Sequence, residues 1–151
     1  MTNLEMARGH LIRAQRILKE AEGLFVQEAW NLVVRRSQEV VELSLKAALR
    51  FSGIEVPQVH DVGGFLRRSR ARLPESLAKN VDRLVSVSRR LGREREISFY
   101  GDEETGTPAE ELYTQEDAEA ALQDARLVVQ TCGDALPPPD GPSLPDAPPT
   151  G

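Results

Sequence analysis

The chain is poor in the residues that build most catalytic and metal sites. It has one cysteine, Cys132, and two histidines, His10 and His60. A single thiol excludes an intramolecular disulfide and suits a reducing compartment. One Cys and two His are too few for a metal site of the usual ligand spacing, so no metal and no resident cofactor is expected. Aromatic residues make up 5% of the chain. They do not interleave with its basic residues, which speaks against a platform that stacks single-stranded bases. No run of about 18 apolar residues occurs, so no membrane span is expected. There is no phosphate-binding glycine loop either, because Gly63-Gly64 has neither the lysine nor the preceding strand. Met1 to Glu5 show no basic start and no apolar stretch, so the chain reads as cytoplasmic.

What is present suits helices. The 151 residues suffice for one domain with a real core. The apolar 40% is mostly Leu, Val and Ala, which pack better between helices than in sheets. Charge is unevenly placed. Residues 1–100 hold 18 basic and 12 acidic side chains, whereas 101–151 hold one arginine and 12 acids. Such asymmetry points either to a polyanion partner or to an acidic loop and tail that only solvate the surface.

Periodicity predicts a first helix over 3–22, with Leu4, Ala7, Leu11, Ala14, Leu18 and Ala21 on one face. A second helix is expected over 27–52. Trp30, Val33, Val34, Ser37, Val40, Val41, Ser44, Leu45 and Ala48 form its stripe. Leu32, Leu43, Ala47 and Phe51 widen that stripe, so this helix should touch several others and could keep apolar surface for a homodimer. Gly53 supplies its stop. Asp61 can cap a third helix over 61–71. Pro74 suits the start of a fourth, which carries Leu77, Val81, Leu84, Ser88 and Leu91 and ends near Gly92. Residues 93–113 read as a polar connection long enough to be functional or disordered. Thr114 to Asp117 resembles a capping box, with Asp where Glu or Gln is usual. It opens a last helix with Ala118, Ala121, Leu122, Ala125, Val128, Val129 and Cys132 inward. Seven prolines between Pro137 and Gly151 end the helical pattern. The expected fold is all-α, an antiparallel up-and-down bundle of four main helices and one short helix over 1–135, with a disordered proline-rich tail at 136–151.

Several segments carry a family resemblance. Gln38-Glu39-Val40-Val41-Glu42-Leu43-Ser44-Leu45-Lys46-Ala47, the step Pro57-Gln58-Val59-His60-Asp61, the tripeptide Tyr100-Gly101-Asp102 and the run Leu112 to Glu119 are similar, in order and spacing, to the HEPN family. These are small helical domains often encoded beside a minimal nucleotidyltransferase, and the likeness spans about residues 4–133. It implies a helical bundle that partners such a nucleotidyltransferase as substrate- or nucleotide-binding subunit, or as a member of a toxin–antitoxin-like pair. HEPN ribonucleases resemble one another in an arginine followed by a histidine after four to six residues. Here Arg8 precedes His10 with one residue between, and Arg50 precedes His60 with nine between. Neither fits, so the implied role is non-catalytic. The alternatives are a metal-independent ribonuclease with a non-standard site built on His60, and a helical interaction module that recruits a protein through its acidic end and tail.

The candidate binding residues are His60, whose imidazole could titrate near neutrality, and the charged and aromatic connection with Arg93, Arg95, Glu96, Ser98, Tyr100 and Asp102. The competing reading of His60 is a hydrogen bond at the start of the third helix, and that of Phe99 and Tyr100 is a plug at the bundle's end. The arginines at 67, 68, 70 and 72, and those at 89, 90, 93 and 95, are suited to phosphate by their planar forks. The competing reading is that they are solvated, or paired with Glu75, Glu94 and Glu96. A nucleotide or RNA would be the ligand of such residues.

Overall fold

A computed structural model describes residues 3–137. Seven helices follow in order: α1 (Asn3–Val26), α2 (Trp30–Phe51), α3 (Gly63–Arg68), α4 (Glu75–Ala78), α5 (Val81–Glu94), α6 (Ile97–Tyr100) and α7 (Gln115–Ala135). No strand occurs among the described residues. The proline-rich tail expected at 136–151 lies outside them, apart from Leu136 and Pro137.

The long helices α1, α2, α5 and α7 form the up-and-down bundle. Glu20 reaches Arg36 at 3.5 Å, and the Phe25 and Trp30 rings meet edge to face at 5.0 Å, so α1 and α2 run antiparallel as a hairpin. Arg90 meets Asp124 at 2.7 Å and Glu94 meets Tyr113 at 2.6 Å, which sets α5 antiparallel to α7. Glu22 meets Arg126 at 3.1 Å, which ties α1 to α7.

Helix α2 is the centre, packed on by α1, α5, α6 and α7. This follows from its composition. Twelve of its residues are buried, on more than one side of the helix. The surplus apolar surface from which the sequence suggests a homodimer is therefore largely covered within the chain. Leu45, Leu49, Leu66, Leu77 and Leu84 are fully buried, each stabilising the fold by roughly 1.5–3 kcal/mol. The inward residues expected on α7 are all buried. Small side chains at 118, 121 and 125 suit its close packing on α2.

Both ends of the α1–α2 hairpin close the same way. Ile54 N–H donates to Leu49 O at 2.9 Å and Gly53 N–H to Arg50 O at 3.0 Å, with Gly53 at φ 78°. That is a Schellman cap, and it bears out Gly53 as the stop. Helix α1 runs to Val26 rather than ending at 22, because one glycine does not break a helix whose neighbours are packed. It ends in the same motif: Ala29 N–H donates to Leu24 O and Glu28 N–H to Phe25 O, with Glu28 at φ 60°.

The segment between 61 and 113 also differs from expectation. The third helix is only α3, followed by a 3-10 turn at Arg70–Arg72. The fourth is split into α4 and α5 at Lys79–Asn80, where Asn80 Nδ2 bonds back to Ser76 O at 2.8 Å. Pro74 stands just before α4, and α5 passes Gly92 to reach Glu94. The connection at 93–113 is ordered. It holds α6, a two-bond bridge between Asp102 and Thr107, and a 3-10 turn at Ala109–Glu111. Gly101 makes this possible. At φ 84° any Cβ would lie 2.7 Å from Thr107 O, so only glycine fits the turn. The capping box at Thr114 and Asp117 forms as expected, with bonds of 3.1 and 3.0 Å.

Candidate functional site

Three polar residues of α2 sit one turn apart on a single face: Gln38, Glu42 and Lys46. On a mostly buried helix, such residues must find partners or remain orphaned. They find one another. Lys46 Nζ bonds Glu42 Oε2 at 2.8 Å, and Gln38 Nε2 bonds Glu42 Oε1 at 3.0 Å.

Two residues from distant segments complete the group. The loop after α2 brings His60 Nδ1 to 3.0 Å from Glu42 Oε1. The residue closing α5 brings Arg95 Nη1 to 2.7 Å from Gln38 Oε1 and 3.8 Å from Glu42 Oε1. Glu42 is thus the hub, with a side chain only 14% exposed, while His60 is 54% exposed. Burial alone would push the Glu42 carboxyl up. The hydrogen bonds from Lys46, Gln38 and His60, with the Lys46 charge, outweigh burial and hold it below the usual carboxylate range.

Arg35 fastens α6 behind this group. Its Nη1 donates to Arg95 O at 2.8 Å, its Nε donates to Glu39 at 3.2 Å, and its guanidinium lies 4.7 Å over the Phe99 ring. Asn31 Nδ2 donates to Ser98 O at 3.1 Å.

The seven candidate residues therefore do not form one site. His60 and Arg95 converge on Glu42, and Glu96 stands 3.9 Å from Arg95. Ser98 is buried and donates its hydroxyl to Arg95 O at 3.2 Å, so it anchors α6. Tyr100 and Asp102 open, together with Glu96, onto a groove of about 300 Å³ that Ile97, Glu103 and Glu104 also line. Phe99 and Tyr100 stack edge to face at 4.9 Å on the surface and do not plug the bundle. Arg93 points elsewhere, into a groove between α3 and α5.

His60 bonds to α2, not to the start of α3. Asp61 does serve that start, accepting from Gly63 N at 2.9 Å and from Ser88 Oγ at 2.7 Å. Sequence reasoning missed Gln38, Glu42 and Lys46 as site residues. Their signal was the four-residue step of polar groups on the most apolar helix.

Three other titratable groups, His10, Tyr113 and Cys132, are partly or fully shielded. His10 is half-buried near α2, and its Nδ1 accepts from Arg13 Nη2 at 2.8 Å. Burial, then the nearby charges of Arg13, Arg50 and Lys46, push its imidazole below 6.5 and favour the neutral form. Tyr113 donates its hydroxyl to Glu94, and burial, then that carboxylate, push its pKa up and keep the phenol neutral. Burial pushes the Cys132 thiol up to about 12, so it is not a nucleophile. Among the described residues no cluster of His, Cys, Asp or Glu could hold a metal ion, and no helix is long and apolar enough to cross a membrane.

The fold and this ion-paired hub define a small all-α domain with a polar network centred on its central helix. The chain belongs to the HEPN domain family: the model of that domain matches residues 7–135. Neither the curated proteins nor the solved structures give a match.

Proposed function

We propose that this chain is a non-catalytic HEPN protein that serves beside a minimal nucleotidyltransferase. It would act as the substrate- or nucleotide-binding subunit, or as one half of a toxin–antitoxin-like pair. The observation that carries the reading is the engagement of His60 and Arg95 by Glu42. A ribonuclease needs its imidazole and guanidinium aimed at a phosphate. Here a carboxylate stands between them, and a phosphodiester approaching His60 would meet that negative charge.

The test is affinity purification of the tagged full chain from the cells that make it, with mass spectrometry of what co-elutes. A stoichiometric small nucleotidyltransferase supports the reading; its absence overturns it. One observation favours a second reading, a metal-independent ribonuclease with a non-standard site: His60 is half-exposed with Arg95 and Lys46 on the same carboxylate. An RNA-cleavage assay decides between the two.

A further inference from the structure

The two arginine groups that stand out in the sequence are separated by about twenty residues, yet the fold brings members of both together. Helix α3 packs on α5. Between them lies an open groove of about 220 Å³, lined by Arg67, Asp82, Ser86, Arg89, Arg90 and Arg93. Ser86, Arg89 and Arg93 follow at steps of three and four, so they share one face of α5 and rise along it by about one turn per step.

The local carboxylates do not neutralise this face. Arg90 is committed to Asp124 at 2.7 Å. Arg67 stands 3.8 Å from Asp82, and Arg89 stands 4.0 Å from Asp61, both at the outer limit of an ion pair. Asp61 accepts from Gly63 N and Ser88 Oγ on Oδ1 and turns only Oδ2 toward Arg89. Arg93 is exposed, and none of the ion pairs among the described residues that involve this groove includes it. Three guanidiniums with exposed forks thus face a single lining carboxylate, Asp82, beside the Ser86 hydroxyl.

We propose that this groove binds a run of phosphate groups, held by Arg67, Arg89 and Arg93 with Ser86 as a further donor. Guanidiniums stacked along a helix turn suit successive phosphates better than one isolated anion, because each fork can take its own pair of oxygens. No aromatic side chain lines the groove, so nothing there stacks on a base, and recognition is independent of base sequence. The same chemistry is offered by a free polyphosphate, as in the tail of a nucleotide, and by the backbone of RNA. The inference deepens the binding-subunit reading and rests on it for its biological sense. Its test does not, because it uses the purified full chain alone.

The experiment measures binding of inorganic tripolyphosphate by calorimetry and of a labelled single-stranded RNA by fluorescence anisotropy, each over a range of salt. The variants are Arg89→Glu/Arg93→Glu and Ser86→Asp, with Arg16→Glu/Lys19→Glu on α1 as the control matched in charge to the double variant. Circular dichroism checks that each is folded. The expected result is at least about a tenfold loss for the double variant and a smaller loss for Ser86→Asp, with the control within about twofold. The salt slope for RNA should fall by roughly 0.7 per phosphate contact removed. Tighter binding of RNA than of tripolyphosphate assigns the groove to a nucleic-acid backbone, and the reverse assigns it to a free polyphosphate. Binding of neither, or equal losses in the control, overturns the proposal. A chain that binds tripolyphosphate but co-purifies with no nucleotidyltransferase would keep the groove and overturn the subunit reading alone.

Discussion

His60 Nδ1 and Glu42 Oε1 meet at 3.0 Å although 18 residues separate them in the chain. The contact fastens the loop after α2 back onto α2, and the same carboxylate holds Lys46 and faces Arg95. Removing it leaves two cations without their counter-charge in a largely buried place. Glu42→Ala should therefore destabilise the fold by about 2–4 kcal/mol, and Glu42→Gln by less, since an amide oxygen still accepts. Urea unfolding followed by circular dichroism measures both. A change under about 0.5 kcal/mol in Glu42→Ala would mean that the hub does not hold these segments together.

Acid should act on the fold in two stages. His10 is held below its ordinary value of 6.5 in the folded chain. The unfolded chain therefore takes up this proton first as pH falls, and the associated stability is present above 6.5 and lost below it. Glu42 is held below its ordinary value of 4.5. Its contribution is present above 4.5 and is lost only as pH falls through the lower folded value. Urea midpoints across this range should decline as pH falls below 6.5 and decline again below 4.5. His10→Gln should flatten the first and Glu42→Gln should reduce the second. A profile unchanged by both substitutions would refute the assignment.

Glu28 and Gly53 occupy the same position in two Schellman caps, at φ 60° and φ 78°. A left-handed backbone strains any residue with a Cβ by roughly 1 kcal/mol. The same motif then predicts opposite signs. Glu28→Gly should stabilise the chain by about 0.5–1 kcal/mol, and Gly53→Ala should destabilise it by about 1 kcal/mol. Thermal and urea unfolding of the pair test this directly. Destabilisation by Glu28→Gly would show that the Glu28 side chain contributes more than its backbone strain removes.

Much of the fold was legible because burial repeats at 3.6 residues. The stripe on α7 was read residue for residue, and Gly53 and Thr114 announced their caps through local chemistry that needs no tertiary context. The end of α1 was misplaced because a glutamate, not a glycine, takes the left-handed turn at 28. The order in 93–113 was hidden for another reason. It depends on long-range bonds from Asn31 and Arg35 to the backbone at Ser98 and Arg95, and on the contact between Gly101 and Thr107. The candidate site was read in pieces. Residues near in sequence, such as Arg93 in the groove beside α3 and Arg95 in the Glu42 hub, go to different places, because two steps along a helix turn a side chain by about 200°. Glu42, which joins His60 to Arg95, was hidden in an apolar helix as an ordinary i, i+4 pair with Lys46.

The hub also makes a prediction about RNA. In-line cleavage of a phosphodiester needs a base or acid near the 2′-hydroxyl or leaving oxygen, and a cation on the phosphate. At this site the cations Lys46 and Arg95 face Glu42, and His60 shares that carboxylate. The carboxylate repels the substrate and competes for the groups that would stabilise its transition state. Purified protein should therefore leave a labelled single-stranded RNA intact at a rate no greater than buffer, and His60→Ala should match the unaltered chain. Glu42→Gln, which removes the opposing charge but keeps an acceptor for His60, is the variant most able to gain activity. Its RNA products, read on a denaturing gel beside those of Glu42→Gln/His60→Ala, separate a gain that depends on the imidazole from contamination. Cleavage by the unaltered chain that disappears in His60→Ala would replace the non-catalytic reading with the ribonuclease one.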